Sequence, residues 1–176
     1  PDHRFLQWSG DVSGTSSPVS LVVNGPKTVR AQFIRTFWID GYIAPANTGT
    51  MTCTLVSGHN NAGHYDDGST VELNATPVEG MAFDHWEIEV PYSGNPPSTV
   101  EDNPTTILMD THKQVTAHFV DARTLTVVVE PAGAGTVTPG SGAFPVNSTQ
   151  TLVADANQDY LFSYWAGDID AGADTD

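Results

Sequence analysis

The chain has few basic residues, a single cysteine and no long apolar run. Among its 176 residues, 6 are Lys or Arg and 21 are Asp or Glu, which gives a formal net charge of −15. Because nucleic-acid binding depends on neutralising phosphates with Lys and Arg, we expect no nucleic-acid partner. No apolar stretch approaches the roughly 20 residues that cross a bilayer, so we also expect no membrane insertion.

The lone cysteine and the missing motifs exclude several kinds of chemistry. Cys53 cannot form an intramolecular disulfide, and no second cysteine exists for a zinc or redox pair. Its neighbours favour a strand, so we interpret it as a buried, unreactive thiol, with an intermolecular bridge as the alternative. The sequence contains no nucleophile elbow, phosphate loop or convincing carboxylate pair. We therefore predict that the chain is not an enzyme and requires no cofactor.

Helical periodicity is absent as well, whereas alternating apolar residues are frequent. Val19–Val23 and Val29–Phe33 both alternate, and Asn24-Gly25 between them predicts a hairpin. Asp110-Thr111 stands at the same place further along the chain. With 16 Gly and 12 Pro spread throughout, the predicted fold class is all-β.

A long-period repeat organises the sequence. Trp8, Trp86 and Trp165 are 78 and 79 residues apart, and a Phe stands three residues before each of them. Self-similarity at a fixed long period indicates one small structural unit that is used repeatedly. Further matches extend the repeat at an offset of 79 (Tyr65, Thr70, Leu73 and Ala75 with Phe144, Thr149, Leu152 and Ala154) and at an offset of 86 (Leu21, Val23, Lys27, Val29, Ala31 and Phe33 with Ile107, Met109, Lys113, Val115, Ala117 and Phe119).

These matches predict three tandem units with partial modules at both chain ends. Residues 1–33 correspond to the C-terminal half of a module, residues 34–121 to a complete module and residues 122–176 to the N-terminal part of a third. The change in offset predicts an insertion after Trp86, in the surface loop Pro91–Pro104. Because both ends fall inside a module, we expect the sequence to be a segment of a longer array.

The repeated aromatic residues are predicted to form the structural core, since each module needs the same large apolar anchor. On a flat strand, Phe and Trp three residues apart would point to opposite faces. Either a bulge turns one ring inward, or both faces are covered. The predicted core residues are Phe5, Trp8, Phe33, Phe83, Trp86, Phe119, Phe162 and Trp165.

Several of these segments together resemble the divergent InlB B-type bacterial repeat. The resemblance rests on Gly68–Pro77 followed by Gly80, Phe83 and Trp86, on the closing run Val115–Phe119, and on the run Trp8–Ser16 followed by Lys27–Phe33. It covers essentially the whole chain and implies compact β-grasp-like modules in a secreted or surface-attached protein. It also implies a structural or adhesive role, with no catalytic residues to transfer.

The chain departs from the pattern of this family at two places. Glu87-Ile88 replaces the Gly-Asp expected after Trp86, so we expect the following loop to be reshaped. Asp155–Asp159 lacks the Pro and Gly of its counterpart, which leaves the conformation of that turn open.

Two further groups of residues are candidate contacts. Trp38 has no aromatic counterpart in the third module, which favours an exposed contact. The acidic tract at the C-terminal end offers carboxylates of the kind that Ca²⁺ prefers, although it lacks the order of an EF-hand loop. The candidate calcium ligands are Asp168, Asp170, Asp174 and Asp176.

Our hypothesis is a secreted or cell-surface repeat segment that acts as a non-catalytic spacer or adhesive scaffold. Its expected partners are neighbouring modules or identical chains, with a glycan or a host or cell-surface protein as alternatives. In a sharper version, residues 1–33 dock on residues 122–176 of the next chain and build a fibre, although the duplicated Trp segments argue against a clean split. The alternative function is a carbohydrate- or calcium-dependent binding module of a secreted enzyme.

Overall fold

The computed structural model describes residues 3–168 and has no helix among them, so the predicted all-β class is confirmed. No described helix is therefore available to span a membrane. The strands are β1 (His3–Gly10), β2 (Val29–Ala44), β3 (Gly49–Ser57), β4 (Asn60–Asn61), β5 (His64–Asp66), β6 (Ser69–Pro77), β7 (Met81–Glu89), β8 (Ser98–Val100), β9 (Thr105–Met109), β10 (Lys113–Leu125), β11 (Gly135–Thr138), β12 (Gly142–Pro145) and β13 (Val153–Ala156).

Two compact units divide the described residues. The first unit comprises residues 3–78 and 83–119, and the second comprises residues 79–82 and 120–168.

The first unit contains a mixed sheet and a three-stranded antiparallel sheet. The mixed sheet has the order β4-β5-β2-β10-β7-β8, with β1 paired to the N-terminal part of β2. At its centre β2 and β10 are parallel, in a register that runs from Ile39↔Lys113 to Ala44↔His118. The second sheet has the order β3-β6-β9.

Alternation along the strands builds the core of the first unit. On β6, Val71, Leu73 and Ala75 are buried at every second position, as the period of a strand requires. Other buried apolar side chains come from β7, β9 and β10. They are Trp86, Ile107, Met109, Val115, Ala117 and Phe119.

The ring of Phe119 packs against backbone at the start of β3. A Cβ atom built on Gly49 would overlap this ring and would lie 2.7 Å from the carbonyl oxygen of Thr76. Glycine is therefore required at position 49, because no side chain fits between the ring and the neighbouring strand.

The predicted hairpin at Asn24-Gly25 is wrong. Residues 19–23 form no strand, and the N-terminal part of β2 pairs with β1 instead. The corresponding segment β9 pairs with β6 in the other sheet, so Asp110-Thr111 joins two sheets rather than two strands of a hairpin. Residues 19–23 have no strand equivalent to β6 beside them in the described structure, and alternation alone does not form a strand.

The loop after Trp86 is reshaped, as the Glu87-Ile88 replacement led us to expect. Strand β7 continues through this position and pairs with β8, whereas β1 ends at Gly10. Gly10 has a φ of 98°, and a Cβ atom there would overlap the carbonyl oxygen of Thr28. The insertion ends at Asn103, whose side-chain amide donates to the carbonyl of Ala75 at 2.8 Å and accepts from its N–H at 2.9 Å.

The second unit contains two pairs of antiparallel strands. β11 pairs with β13, and β12 pairs with the end of β10 from Ala122 to Leu125. Residues 126–130 form no strand. The counterpart of this segment in the first unit is a part of β2 that pairs with β10.

Candidate interaction surfaces

The three copies of the Phe/Trp phrase have nearly the same ring geometry. The centroid distances are 5.1 Å for Phe5–Trp8, 5.3 Å for Phe83–Trp86 and 5.1 Å for Phe162–Trp165, with interplanar angles of 51°, 52° and 53°. In the first copy, the register of β1 against β2 shifts between Phe5 and Gln7. This bulge turns both rings to one face, which decides between the two alternatives that the sequence left open for that copy.

A third ring completes two of these pairs into trios. Phe33 lies edge-on to Phe5 with centroids 5.9 Å apart, and Phe119 lies edge-on to Phe83 with centroids 6.1 Å apart. The two trios differ in burial, since Phe119 is 3% exposed and Phe33 is 62% exposed. We call Phe5, Trp8 and Phe33 the open trio, and Phe83, Trp86 and Phe119 the closed trio.

The difference extends along the two segments 19–33 and 105–119. Val29 is 38% exposed and its counterpart Val115 is fully buried; likewise Val23 is 76% exposed and its counterpart Met109 is fully buried. The three-stranded sheet β3-β6-β9 covers the closed trio, and the described structure has no such sheet over residues 19–33. The same residue types therefore form a core in one copy and a surface in the other.

The eight predicted core residues accordingly differ in how deeply they are buried. Trp86 and Phe119 are buried, and Phe5, Trp8, Phe83 and Trp165 are intermediate. Phe33 and Phe162 are exposed, which differs from the expectation of a core position. The sequence pattern identifies residues that are equivalent, but their burial depends on the covering sheet.

The second unit has an open groove beside its copy of the phrase. The groove has a volume of about 680 Å³ and is lined by Val128, Val129, Glu130, Pro131, Ala132 and Tyr164. Val128 is 71% exposed, and Tyr164 and Leu161 are exposed as well.

An ion pair joins the open trio's ribbon to the rest of the first unit. Arg4 on β1 donates from Nε to Asp66 Oδ1 at 2.6 Å and also donates from Nη2 to Asp66 Oδ2. This hydrogen-bonded carboxylate raises the pKa of Arg4 above its ordinary value. Asp66 is buried and also lies 3.8 Å from His59 Nδ1. A two-point contact of this kind fixes orientation as well as distance.

A family model for the divergent InlB B-repeat domain matches residues 43–123 and 125–176. The chain belongs to the divergent InlB B-repeat family. Repeats of this family are typical of bacterial surface proteins. No curated protein and no solved structure matches the chain.

Trp38, which precedes the matched residues, has its ring packed against another side chain. Its indole stacks on the imidazole of His112 at 4.5 Å, with 25° between the planes, and its backbone N–H donates to His112 Nδ1 at 3.2 Å. Trp38 is half-buried, so one indole face is covered by protein. The prediction that Trp38 makes an external contact stays a prediction.

The candidate calcium ligands fall mostly outside the described residues. Asp168 is the last residue described, and Asp170, Asp174 and Asp176 lie beyond it. Between residues 3 and 168, no three His, Cys, Asp or Glu side chains are grouped so that they could hold a metal ion. A calcium site in the acidic tract stays a prediction.

Two ionisable side chains of the first unit, the exposed Asp110 and the half-buried Cys53, have shifted pKa values. Lys113 is 9% exposed, and its Nζ donates to Asp110 Oδ1 at 2.8 Å. This hydrogen bond lowers the pKa of Asp110 below its usual range. Burial on β3 raises the pKa of Cys53, which agrees with an unreactive thiol.

Two contacts that organise these surfaces were missed at the level of sequence. Arg4 and Asp66 stand 62 positions apart, and His112 stands 74 positions after Trp38. Neither pair belongs to the repeated phrase, so internal comparison gave no signal for them. The concentration of basic residues near the N-terminus was the only available hint that this segment pairs with carboxylates.

Proposed function

We propose that this chain is a non-catalytic spacer or adhesive scaffold within a secreted or cell-surface bacterial repeat protein. Its task is mechanical: it holds consecutive repeats at a fixed distance and angle. The family match supports the setting of a surface repeat.

A continuous strand at the first predicted module boundary carries the proposal. Residues 33 and 34 meet at the predicted boundary between the first two modules, and β2 runs through this boundary from Val29 to Ala44 without a break. One end of β2 pairs with β1 and the other end pairs with β10. A strand that is hydrogen-bonded on both sides of a boundary cannot bend there as a loop does.

The Arg4–Asp66 pair adds a second connection across the same boundary. Arg4 belongs to the ribbon of β1 and β2, whereas Asp66 ends β5, which pairs with β2 beyond the boundary. Two separate attachments, one through the backbone and one through side chains, resist both bending and twisting of the ribbon.

Distance measurements between spin labels test this rigidity. On a Cys53→Ser background, labels at Val29 on β2 and Val56 on β3 report the ribbon against β3, since both side chains are exposed. We expect one narrow distance distribution, a broader one for Arg4→Ala, and an intermediate one for Arg4→Lys, which keeps the charge but not the two-point contact. A broad distribution in the parent chain would contradict the spacer function.

Titration with candidate ligands distinguishes the scaffold from the alternative function, a binding module. Addition of calcium and a screen of glycans should give no heat and no retention if the chain acts only as a scaffold. Specific binding of either ligand would replace the scaffold proposal with the alternative.

A further inference from the structure

Strand β3 is an open edge of the complete module. It is 9 residues long, it pairs with β6 on one side, and no strand of the described structure pairs with its other side. The strands at the other three ends of the first unit's two sheets are shorter, with 2 residues in β4, 3 in β8 and 5 in β9. Proteins usually protect a long exposed edge with Lys, Pro or a bulge. β3 contains no charged residue and no Pro, and its bulge lies at its C-terminal end, between Leu55 and Ser57.

Hydrogen bonds of β6 identify the backbone groups that β3 presents at this edge. Asn103, which precedes β9, bonds both the N–H and the carbonyl of Ala75, so Ala75 directs its backbone groups away from β3. Because this direction alternates along paired strands, the threonines of β3 bond to β6 and the residues between them do not. The residues that direct their N–H and C=O groups to the open side are Met51, Cys53 and Leu55.

The side chains of these three residues form an apolar row that is only half-buried, whereas their partners on β6 are buried. The side chains of Thr50, Thr52 and Thr54 are exposed on the other face of the strand. A further strand at this edge would therefore bond the free backbone groups and also cover the apolar row.

The same open edge recurs in the second unit. β11 corresponds to β3, since residues 135–138 repeat the Gly-Thr-x-Thr pattern of residues 49–52. A Cβ atom at Gly49 or Gly135 would lie 2.7 Å or 2.5 Å from a carbonyl oxygen of the neighbouring strand. β11 follows the complete module in the chain and, among the described residues, pairs with β13 alone. The open edge is therefore a property of the repeat, and β3 is its longer example, because β11 has 4 residues and ends before Pro139.

The composition of this edge fits a second copy of β3. Two copies of a chain with a net charge of −15 repel each other at long range. Residues 41–65 contain no Asp, Glu, Lys or Arg, so two β3 strands can meet without bringing like charges together. A charged peptide finds no opposite charge along β3, whereas a copy of β3 places apolar residues beside the apolar row and threonines beside the threonines.

We propose that the β3 strands of two copies pair antiparallel about a two-fold axis at Cys53, so that the two β3-β6-β9 sheets join into one sheet of six strands. This proposal rests on the adhesive function proposed above and names its surface: the complete modules of two arrays associate side by side. In this register Met51 lies opposite Leu55 of the copy, and Thr52 lies opposite Thr54 of the copy. The same surface is used on both copies, so one contact closes the pair.

Sedimentation velocity between about 5 and 500 µM tests this pairing, since that range brackets the affinity of modest interfaces. We expect the parent chain to pass from monomer to dimer as its concentration rises. We also expect more dimer as salt rises from about 0.02 to 0.5 M, because screening weakens the repulsion between two acidic chains.

Two double variants test the register of the pair. Thr52→Lys/Thr54→Lys places like charges opposite each other at the edge and should weaken dimerisation at least about tenfold, although it lowers the net negative charge. Thr52→Glu/Thr54→Lys places opposite charges there and should keep the dimer. The matched control is Thr106→Lys, which should dimerise like the parent chain. Thr106 is exposed on β9 and lies opposite Glu72, as Thr54 does, but it lies away from the open edge.

Oxidation with diamide tests the position of the two-fold axis. In the proposed pair the two Cα atoms at Cys53 lie about 5.5 Å apart, within the range that a disulfide spans. Diamide takes up the two thiol protons and two electrons, and the two sulfur atoms form one S–S bond. Non-reducing electrophoresis should show a covalent dimer of the parent chain, and much less of it for Thr52→Lys/Thr54→Lys.

Three results would each overturn the β3 pairing: a parent chain that stays monomeric at about 500 µM, equal dimerisation of the two double variants, or a dimer that gives no cross-link at Cys53. Circular dichroism shows whether each variant keeps its sheets. None of these results alters the distance between labels at Val29 and Val56 within one chain, so the spacer function and the β3 pairing fail separately.

Discussion

The open and closed trios show what the same three rings do with and without a covering sheet. The distances and angles between the rings are almost the same in the two trios, so the pair of strands that carries each trio sets the local geometry by itself. Burial is set elsewhere, since Phe119 is enclosed by β3-β6-β9 and Phe33 is not. Local sequence therefore determines the arrangement of the rings, and non-local pairing determines whether they act as core or surface.

A further contrast concerns the indole N–H groups of the two trios. Trp8 Nε1 donates to the carbonyl of Ser16 at 3.0 Å, whereas Trp86 Nε1 is buried without a hydrogen-bond partner in the described structure. Ser16 lies in the segment that follows β1, and the insertion replaces that segment after β7. The closed trio therefore gains apolar burial and gives up one hydrogen bond.

The largest effect should come from truncating the closed tryptophan. Trp86→Ala removes a fully buried ring, and we expect it to lower the free energy of unfolding by about 3–5 kcal/mol. Trp8→Ala should cost about 1–2 kcal/mol, since Trp8 is only half-buried. Urea unfolding followed by circular dichroism measures both. Trp86→Phe serves as the control, because it keeps a ring and removes the unpaired N–H; a cost equal to that of Trp86→Ala would contradict the role assigned to the ring.

The contact between Gly49 and Phe119 offers a second test of the closed trio. Gly49→Ala places a methyl group against the ring and the Thr76 carbonyl, and we expect a loss of about 1–3 kcal/mol from overpacking. Gly25→Ala is the matched control in the open copy, because a Cβ atom there meets no atom within 4 Å. Thermal unfolding should separate the two variants by several degrees. Equal melting temperatures would show that the ring does not rest on the β3 backbone.

A smaller effect is expected at the ion pair next to the closed trio. Asp110→Asn removes the partner of the nearly buried Lys113, and we expect a cost of about 0.5–1 kcal/mol at pH 7, limited by the exposure of Asp110. The matched change Asp11→Asn, beside the exposed Lys27, should cost almost nothing because its ion pair is longer, at 3.5 Å.

The pH dependence of the Asp110 effect follows from its lowered pKa. The contribution is present above the unfolded pKa of about 4 and is lost as pH falls through the lower folded value. Urea titrations between pH 7 and pH 2 should therefore show the difference between parent and Asp110→Asn disappearing under acid conditions. A difference that persists at the lowest pH would contradict this assignment.

The smallest effect concerns Cys53, which lies on β3 in the sheet that covers the closed trio. Because burial raises its pKa, little thiolate is present at neutral pH. We expect iodoacetamide to alkylate Cys53 at least about tenfold more slowly in the native chain than in urea, since thiolate is the reacting species. Similar rates would mean that the sheet opens readily over the core.

Sequence reasoning reached the features that depend on local pattern and on internal comparison. The alternation of β6 and β10, the equivalence of the ring pairs and the reshaped loop after Trp86 could all be predicted. The absence of a strand at residues 19–23 could not, because this segment carries the same alternation as β9, but no strand of the β6 type lies beside it among residues 3–168. The Arg4–Asp66 contact was equally out of reach, since it depends on the bulge and pairing that orient β1.

The most direct test compares Phe119→Ala with Phe33→Ala by urea unfolding. Phe119→Ala should lower the free energy of unfolding by about 3–5 kcal/mol, because it leaves a cavity in the buried core. Phe33→Ala should lower it by about 1 kcal/mol or less, because that ring already faces solvent. Comparable losses at the two positions would contradict the central claim that one copy of this repeated face is a core and the other is a surface.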